Sequence, residues 1–423
     1  MSNFNQGVWG KFINAVQEAM GGGQANAQLQ VLSSTIPFDW GISTANKNPL
    51  EYWNFCNQLP KWSNVGQYIP LGGSLESGYD SFLNKIKQDY SQDLKNQITE
   101  SQQKLAANSA TLKSGITQAS VEYKEYADNQ QKLGMPADDF NSWKTTSGAG
   151  TTLEMLQAQV QKDADIIKSL LDQQNRQYAD AWAAFNDEKL KKFYTDASNN
   201  VMMKRIYEWS KNPTDMVQEL RAGTLANAKT LSWSHSSKDY DFSKSWSKGD
   251  TGINYLFWSV DGGGAWTQMS TNETQESFSA SISFEDLSLI TVNPESWLDD
   301  GYLKTNANGP YVDNNTVGFA NEATGNQTYF FGGEKAILPG QVTGILVGYK
   351  PKFKITTSSS SFSDVYKSVE GGGGVRIGPF HFGGSGGHTT HITKSSSEEN
   401  TIEGGDTSNV PQIFGIYLKV LPS

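Results

Sequence analysis

The chain has 423 residues, 36% hydrophobic content, 41 glycines and a formal net charge of −10. It is longer than the ~250–300 residues that one hydrophobic core usually serves, so at least two cores are expected. The acidic balance, without clustered Lys and Arg, excludes a phosphate-tracking nucleic-acid binder, and the lone Cys56 excludes a disulfide framework or a multi-cysteine metal site.

At the N-terminus, MSNFNQGVWGKF has no basic region followed by an apolar one, and no apolar run approaches the ~18 residues of a spanning helix. The expectation is a soluble chain made in the cytoplasm without Sec-type export, released by a non-classical route and acting at a target membrane. Phe4, Val8, Trp9, Phe12, Ile13, Val16 and Met20 form one apolar stripe, which predicts a short amphipathic helix ended by Gly21, Gly22 and Gly23. Its polar face is Asn and Gln rather than Lys and Arg, which favours docking on its own protein over anionic lipid. Residues 24–74 are rich in Pro, Trp, Tyr and Asn without a sustained period, so 1–74 is read as this helix plus an irregular packed segment. Cys56, in WNFCNQL, reads as a small buried residue.

From Tyr79 the apolar positions become regular: Tyr79, Leu83, Ile86, Tyr90, Leu94, Ile98, Leu105, Leu112, Ile116, Tyr123, Tyr126 and Leu133. Steps of three, four and seven describe a heptad seam with solvated flanks. Gly134, Pro136 and the stretch at 148–152 break it. A second series follows at Leu153, Leu156, Val160, Ile167, Leu170, Leu171, Tyr178, Trp182, Phe185, Leu190, Phe193, Val201, Ile206 and Trp209. Residues 75–212 are therefore expected to form a long antiparallel coiled-coil hairpin with arms about 80 Å long. Leu105, Leu112, Leu156 and Val160 are its candidate assembly seam.

Pro213 closes the helical part. From 228 to 423 the texture changes to aromatic and Ser/Thr positions with frequent Gly and Asn, which predicts an all-β, sandwich-like domain and an α+β multidomain chain. The segments at 282–292, 340–357 and 412–421 are its predicted buried strands. SVDGGGAW (259–266) and SVEGGGGV (368–375) echo one another, each after a Ser-rich stretch, as a duplicated strand–turn–strand unit would.

No motif here specifies catalysis. The Gly-rich run at 371–388 has no Lys-Ser/Thr after its glycines and opens no helix, so it does not match a phosphate loop. His381, His388 and His391 lie close in sequence and His235 apart, but a Gly-rich loop gives them no firm metal-ligand spacing. Asp299-Asp300 and Glu398-Glu399 are adjacent and point apart on a strand. The chain is read as non-enzymatic, without cofactor or metal.

Residues 356–397 are the most unusual stretch: 24 of the 42 are Gly, Ser or Thr, too polar for a core yet nearly free of bare charge. Val365, Val369, Val375, Ile377, Phe380 and Phe382 supply a sparse apolar face, as a transmembrane β-hairpin requires, although Pro379 cannot donate in a ladder. In composition this hairpin resembles the insertion segments of aerolysin-like pore-forming proteins, and the helical hairpin resembles the rods of helical pore formers. The resemblance implies a toxin-like protein that self-assembles and inserts, because one hairpin cannot close a barrel. The partners expected are other copies of itself, a lipid membrane and a second protein component. Two alternatives stand beside this: a scaffold assembling into a filament or shell, and a carbohydrate- or protein-binding β domain with Trp246, Trp258, Trp266 and Trp297 as stacking platforms.

Overall fold

A computed structural model of the chain describes residues 3–22, 27–38, 50–60, 63, 65–234, 236–238, 258–261, 266–268, 278–333, 335–356, 366, 372–383, 390–396 and 400–423. For 3–7, 258–261, 266–268 and 390–396 it describes the backbone alone.

The predicted N-terminal stripe forms helix α1 (Asn3–Ala19), with Val8, Trp9, Phe12, Ile13 and Val16 buried. Gly21 and Gly22 follow it at φ of 80° and 99°, a backbone that favours glycine. The next segment is less irregular than its sequence suggests. It contains strand β1 (Ala27–Pro37), helix α2 (Leu50–Asn57) and the short strands β2 (Gln58–Pro60) and β3 (Pro70–Ser74).

Helix α3 (Leu75–Lys85) starts where the Ser74 side chain accepts the Ser77 N–H. It stops because the chain after it pairs with residues 310–312: Lys87 N–H donates to the Pro310 carbonyl and Val312 N–H to that of Lys85, each at 2.8 Å. Helix α4 (Gln92–Lys132) then runs 41 residues, about 60 Å, from a Ser91 cap. Helices α5 (Phe140–Thr146), α6 (Gly148–Asp172) and α7 (Arg176–Asn186) return the chain. Asn108 donates to Asp163 across the α4–α6 contact at 2.6 Å. Two turns further along α4, Gly115 lies against Leu156, two turns earlier on α6, so these helices run antiparallel.

The second arm is not the rod its spacing predicts. After α7 come strands β4 (Lys191–Thr195) and β5 (Val201–Arg205), paired antiparallel around a turn. There the Asp196 side chain accepts the N–H groups of Ser198 and Asn200, and Asn199 takes a φ of 60°. Phe193, Val201 and Met203 alternate on one face of this hairpin and cover a core with Leu112, Ile116, Tyr123, Phe140, Leu153 and Val160. Phe193 and Val201, placed in a heptad series by sequence, are here strand residues with period two.

Strand β6 (Tyr207–Trp209) and helix α8 (Pro213–Ala222) lead into the β-rich part. It comprises β7 (Lys229–Ser234), β8 (Trp258–Asp261), β9 (Trp266–Gln268), β10 (Ser279–Phe284), β11 (Asp286–Pro294), helix α9 (Asp300–Asn306), β12 (Thr316–Phe319) and β13 (Thr328–Phe331). The chain continues through β14 (Gly340–Tyr349), β15 (Lys352–Thr356), β16 (Val375–Ile377), β17 (Phe380–Phe382), β18 (Thr390–Ser396), β19 (Thr401–Asp406) and β20 (Gln412–Val420). A first sheet has the order β1-β20-β14-β11-β6, a second β18-β19-β15-β10-β7, and a third β17-β16-β8-β9.

Two of the long strands predicted from sequence are each divided between the first two sheets. The 282–292 segment breaks at Glu285, between β10 and β11, and the 340–357 segment at Lys350-Pro351, between β14 and β15. Lys350 adopts a φ of 47°, and Glu285 bridges Lys350 and Lys352 at 3.4 Å, fastening this corner.

Sheet pairing crosses the boundaries read at residues 74 and 228: β1 and β6 both belong to the sheet of β11, β14 and β20. That sheet separates two cores. Val342, Ile345, Val347, Ile416 and Leu418 join a core with α2, α3, α6, α7 and α9. Leu29, Val31, Leu346, Phe414 and Tyr417 join another with α1 and the second and third sheets. Every residue of β14 is buried, as a strand covered on both faces requires. The molecule is a mixed α+β fold.

Candidate membrane-active site

Strands β16 and β17 form a hairpin with Val375 opposite Phe382, Arg376 opposite His381 and Ile377 opposite Phe380. Gly378, at a φ of 56°, and Pro379 make its turn, so Pro379 occupies a place where no ladder donor is needed. Its carbonyl instead accepts the Thr35 N–H of β1 at 3.2 Å. Gly374 is required by a close approach, since a Cβ there would meet the Gly383 carbonyl oxygen at 2.7 Å.

The four described members of the expected apolar face are packed inside the protein. Val375, Ile377, Phe380 and Phe382 are all at most 2% exposed. Phe382 lies 4.4 Å from Phe353 between ring centroids, and Phe380 lies 5.6 Å from Phe284 and 5.3 Å from Phe414. The other two members of that predicted face, Val365 and Val369, fall outside the described residues. On the opposite face, Arg376 bonds the Ser33 carbonyl and, at 3.2 Å, that of Gly378. Burial, reinforced by Arg376, pushes the His381 pKa down to about 4.

The second sheet shows the same division over a wider area. Leu231, Trp233, Ala280, Ile282, Phe284, Phe353, Ile355 and Ile402 face the core. The alternate positions form register rows across the other face: Ser234, Ser279, Thr356 and Thr401; then Ser232, Ser281, Lys354 and Glu403. Lys354 and Glu403 pair at 2.9 Å within the second row. An open groove of about 300 Å³ lies over β7, β10 and β15, lined by Ser232, Ser234, Ser237, Ser279, Ser281 and Lys354 among others. The aromatic and Ser/Thr texture read from residue 228 includes this face, with KTLSWS and SASISF carrying its period of two, but which strands set the rows side by side was not legible.

Helix α1 closes the apolar side. Trp9 donates to the Val65 carbonyl at 2.6 Å, Lys11 to the Ser237 carbonyl at 2.5 Å, and Phe12 meets Trp233 edge-on at 5.2 Å. The sheet is therefore amphipathic, with hydroxyls and the Lys354–Glu403 pair on one side and an apolar side covered by α1.

The predicted assembly seam is spent within the chain. Leu112 and Val160 are 3% and 2% exposed at the α4–α6 contact, with Leu105 and Leu156 packed partly buried beside them. Apolar side chains open to solvent lie elsewhere on the helical region: Val121, Leu133, Met135, Met155 and Ile166.

The remaining expectations divide plainly. Trp297 is a core residue whose indole donates to the Ile206 carbonyl at 2.7 Å, so it is no stacking platform. Trp246, His235, His388, Glu398 and Glu399 lie outside the described residues, and the side chains of Trp258, Trp266 and His391 are likewise not described. Asp299 caps α9 through the Tyr302 N–H, and Asp300 pairs with Lys419. Cys56 is fully buried, and burial raises its pKa. Among the described residues, no three His, Cys, Asp or Glu side chains meet as metal ligands, and no helix is long and apolar enough to cross a membrane.

Comparison with protein-family models, with curated proteins and with solved structures returns no match.

Proposed function

We propose that this chain is a non-enzymatic, membrane-active protein that self-assembles and inserts β-hairpins, in the manner of a pore-forming toxin. The observation that carries the reading is the amphipathic second sheet, with hydroxyls and a Lys354–Glu403 ion pair on one face and apolar residues on the other. A strand crossing a bilayer in a closed barrel needs that division, apolar toward lipid and small and polar toward the lumen. Two long segments leave this sheet, 235–278 between β7 and β10 and 357–389 between β15 and β18. They meet where β8 of the first pairs with β16 of the second.

In this fold the apolar side is covered, so insertion requires α1 and the β16–β17 hairpin to come away first. Closure of a barrel also requires several copies, since an open sheet edge is not tolerated in lipid. The test is dye release from liposomes of several lipid mixtures between about pH 5 and 8, with chemical cross-linking of the membrane-bound protein. Leakage accompanied by discrete cross-linked oligomers supports the reading. Intact vesicles in every mixture contradict it.

A scaffold that assembles through its helical region is the second reading, favoured by Val121 at 51%, Met155 at 63% and Leu133 at 71% exposed. Polymers forming in lipid-free buffer would distinguish it.

A further inference from the structure

The β4–β5 hairpin carries an arrangement that neither the rod nor the second sheet explains. Its register sets Lys191 opposite Arg205 on one face and Lys192 opposite Lys204 on the other. The first pair is neutralised: Lys191 meets Glu188 at 2.5 Å, and Arg205 is paired with Glu76. The second pair has no carboxylate partner among the described residues.

Two lysines directly opposite on one face of an antiparallel pair have Cβ atoms about 4.5–5.5 Å apart, and like charges there destabilise the sheet. Both side chains are partly buried, and burial lowers the pKa of each. Aromatic faces hold them: Lys192 Nζ lies 5.0 Å from the centre of the Tyr194 ring and Lys204 Nζ 4.6 Å from that of Trp53. A ring face fixes an ammonium while leaving N–H donors for another acceptor. Met202, opposite Tyr194 on the same face, is 39% exposed, so the site opens toward solvent beside an apolar side chain.

We infer that Lys192 and Lys204 form an anion-binding site for a phosphate-bearing group, with Tyr194 and Trp53 as its walls. A bound phosphate oxyanion would relieve the repulsion between the ammonium groups and accept a hydrogen bond from each. The group is the headgroup of an acidic lipid or a free phosphate compound, and the two sources are separable by experiment.

The first arm uses thermal unfolding of the full chain with inorganic phosphate against chloride at matched ionic strength. Phosphate raises the midpoint of the wild type and of Lys192→Arg/Lys204→Arg by more than it raises that of Lys192→Met/Lys204→Met, which shows only the general stabilising effect of the salt. Methionine keeps an unbranched apolar stem, and in phosphate-free buffer this variant unfolds no earlier than wild type, because a repulsion has been removed.

The second arm is sedimentation with vesicles of phosphatidylcholine, with and without one part in five phosphatidic acid. Binding to the acidic vesicles that is about thirtyfold weaker in the methionine variant assigns the site to a headgroup. A phosphate response without vesicle binding assigns it to a free phosphate compound. Equal midpoint shifts in wild type and methionine variant, or no shift in either, overturn the site. Neither arm reads leakage, so a protein that binds phosphate but never permeabilises vesicles keeps this site and loses the function proposed above.

Discussion

At the scale of single residues, the two faces of the β16–β17 hairpin make opposite contributions. Phe380 is 2% exposed and touches Phe284 and Phe414, so Phe380→Ala leaves a cavity and costs about 3–5 kcal/mol. Urea unfolding at neutral pH measures that loss. His381 is held neutral in the folded hairpin, its pKa pushed down to about 4 from an ordinary value near 6.5. The unfolded chain therefore binds more protons than the folded one between about pH 6.5 and 4. Stability is complete above that window and falls as pH drops through it. Comparing unfolding midpoints of wild type and His381→Gln at pH values on either side of the window checks this. The wild type should weaken more on acidification. The alternation of Val375, Ile377, Phe380 and Phe382 was legible in the sequence because a strand's period is two. Their destination was not, since composition does not say whether an apolar face meets lipid or the protein's own core. The Lys192–Lys204 pair was equally hidden, because these residues become neighbours only through the turn at Asp196–Asn200.

At the scale of elements, α4 meets α6 at Gly115, where a Cβ would come within 2.8 Å of Leu156 Cδ1, the end of a flexible side chain. Gly115→Val crowds the Leu156 side chain and destabilises by about 1 kcal/mol. Thermal unfolding followed by circular dichroism would record it, whereas Val121→Ala, at an exposed position on the same helix, should change little. The first arm was readable only in part: its spacing persists through α4, but the series from Tyr79 also runs across the break at 86–91, and α4 is shorter than the arm expected. The second was misread past Asn186, because Leu190, Phe193, Val201, Ile206 and Trp209 have spacings that a helix and a hairpin both accommodate. The hydrogen bond from Val201 N–H to Ser120 Oγ, at 2.9 Å, and the shared core settle the matter in favour of strands lying on the rod. The divided strands at Glu285 and Lys350-Pro351 follow the same lesson. A continuous apolar run does not reveal a change of sheet, although Pro351 marks one of the two corners.

At the scale of the whole molecule, the first sheet joins residues from both ends of the chain, β1 pairing with β20 over Ala27–Pro37 and Gln412–Val420. Local periodicity carries no trace of such distant pairing, so the three-part organisation read from sequence could not foresee it. The consequence for function lies in α1, which sits on that sheet's far side as the cover of an amphipathic second sheet. Gly21 and Gly22 cap the end of α1, their N–H groups donating to the Glu18 and Gln17 carbonyls. The most direct measurement is dye release from acidic liposomes by Lys11→Cys/Ser237→Cys in a Cys56→Ala background, with the two thiols joined by a reducible linker. The linked protein should leave vesicles intact, and cleaving the linker should restore wild-type leakage. Equal leakage in the linked and cleaved states, or none in either, would contradict insertion through release of α1.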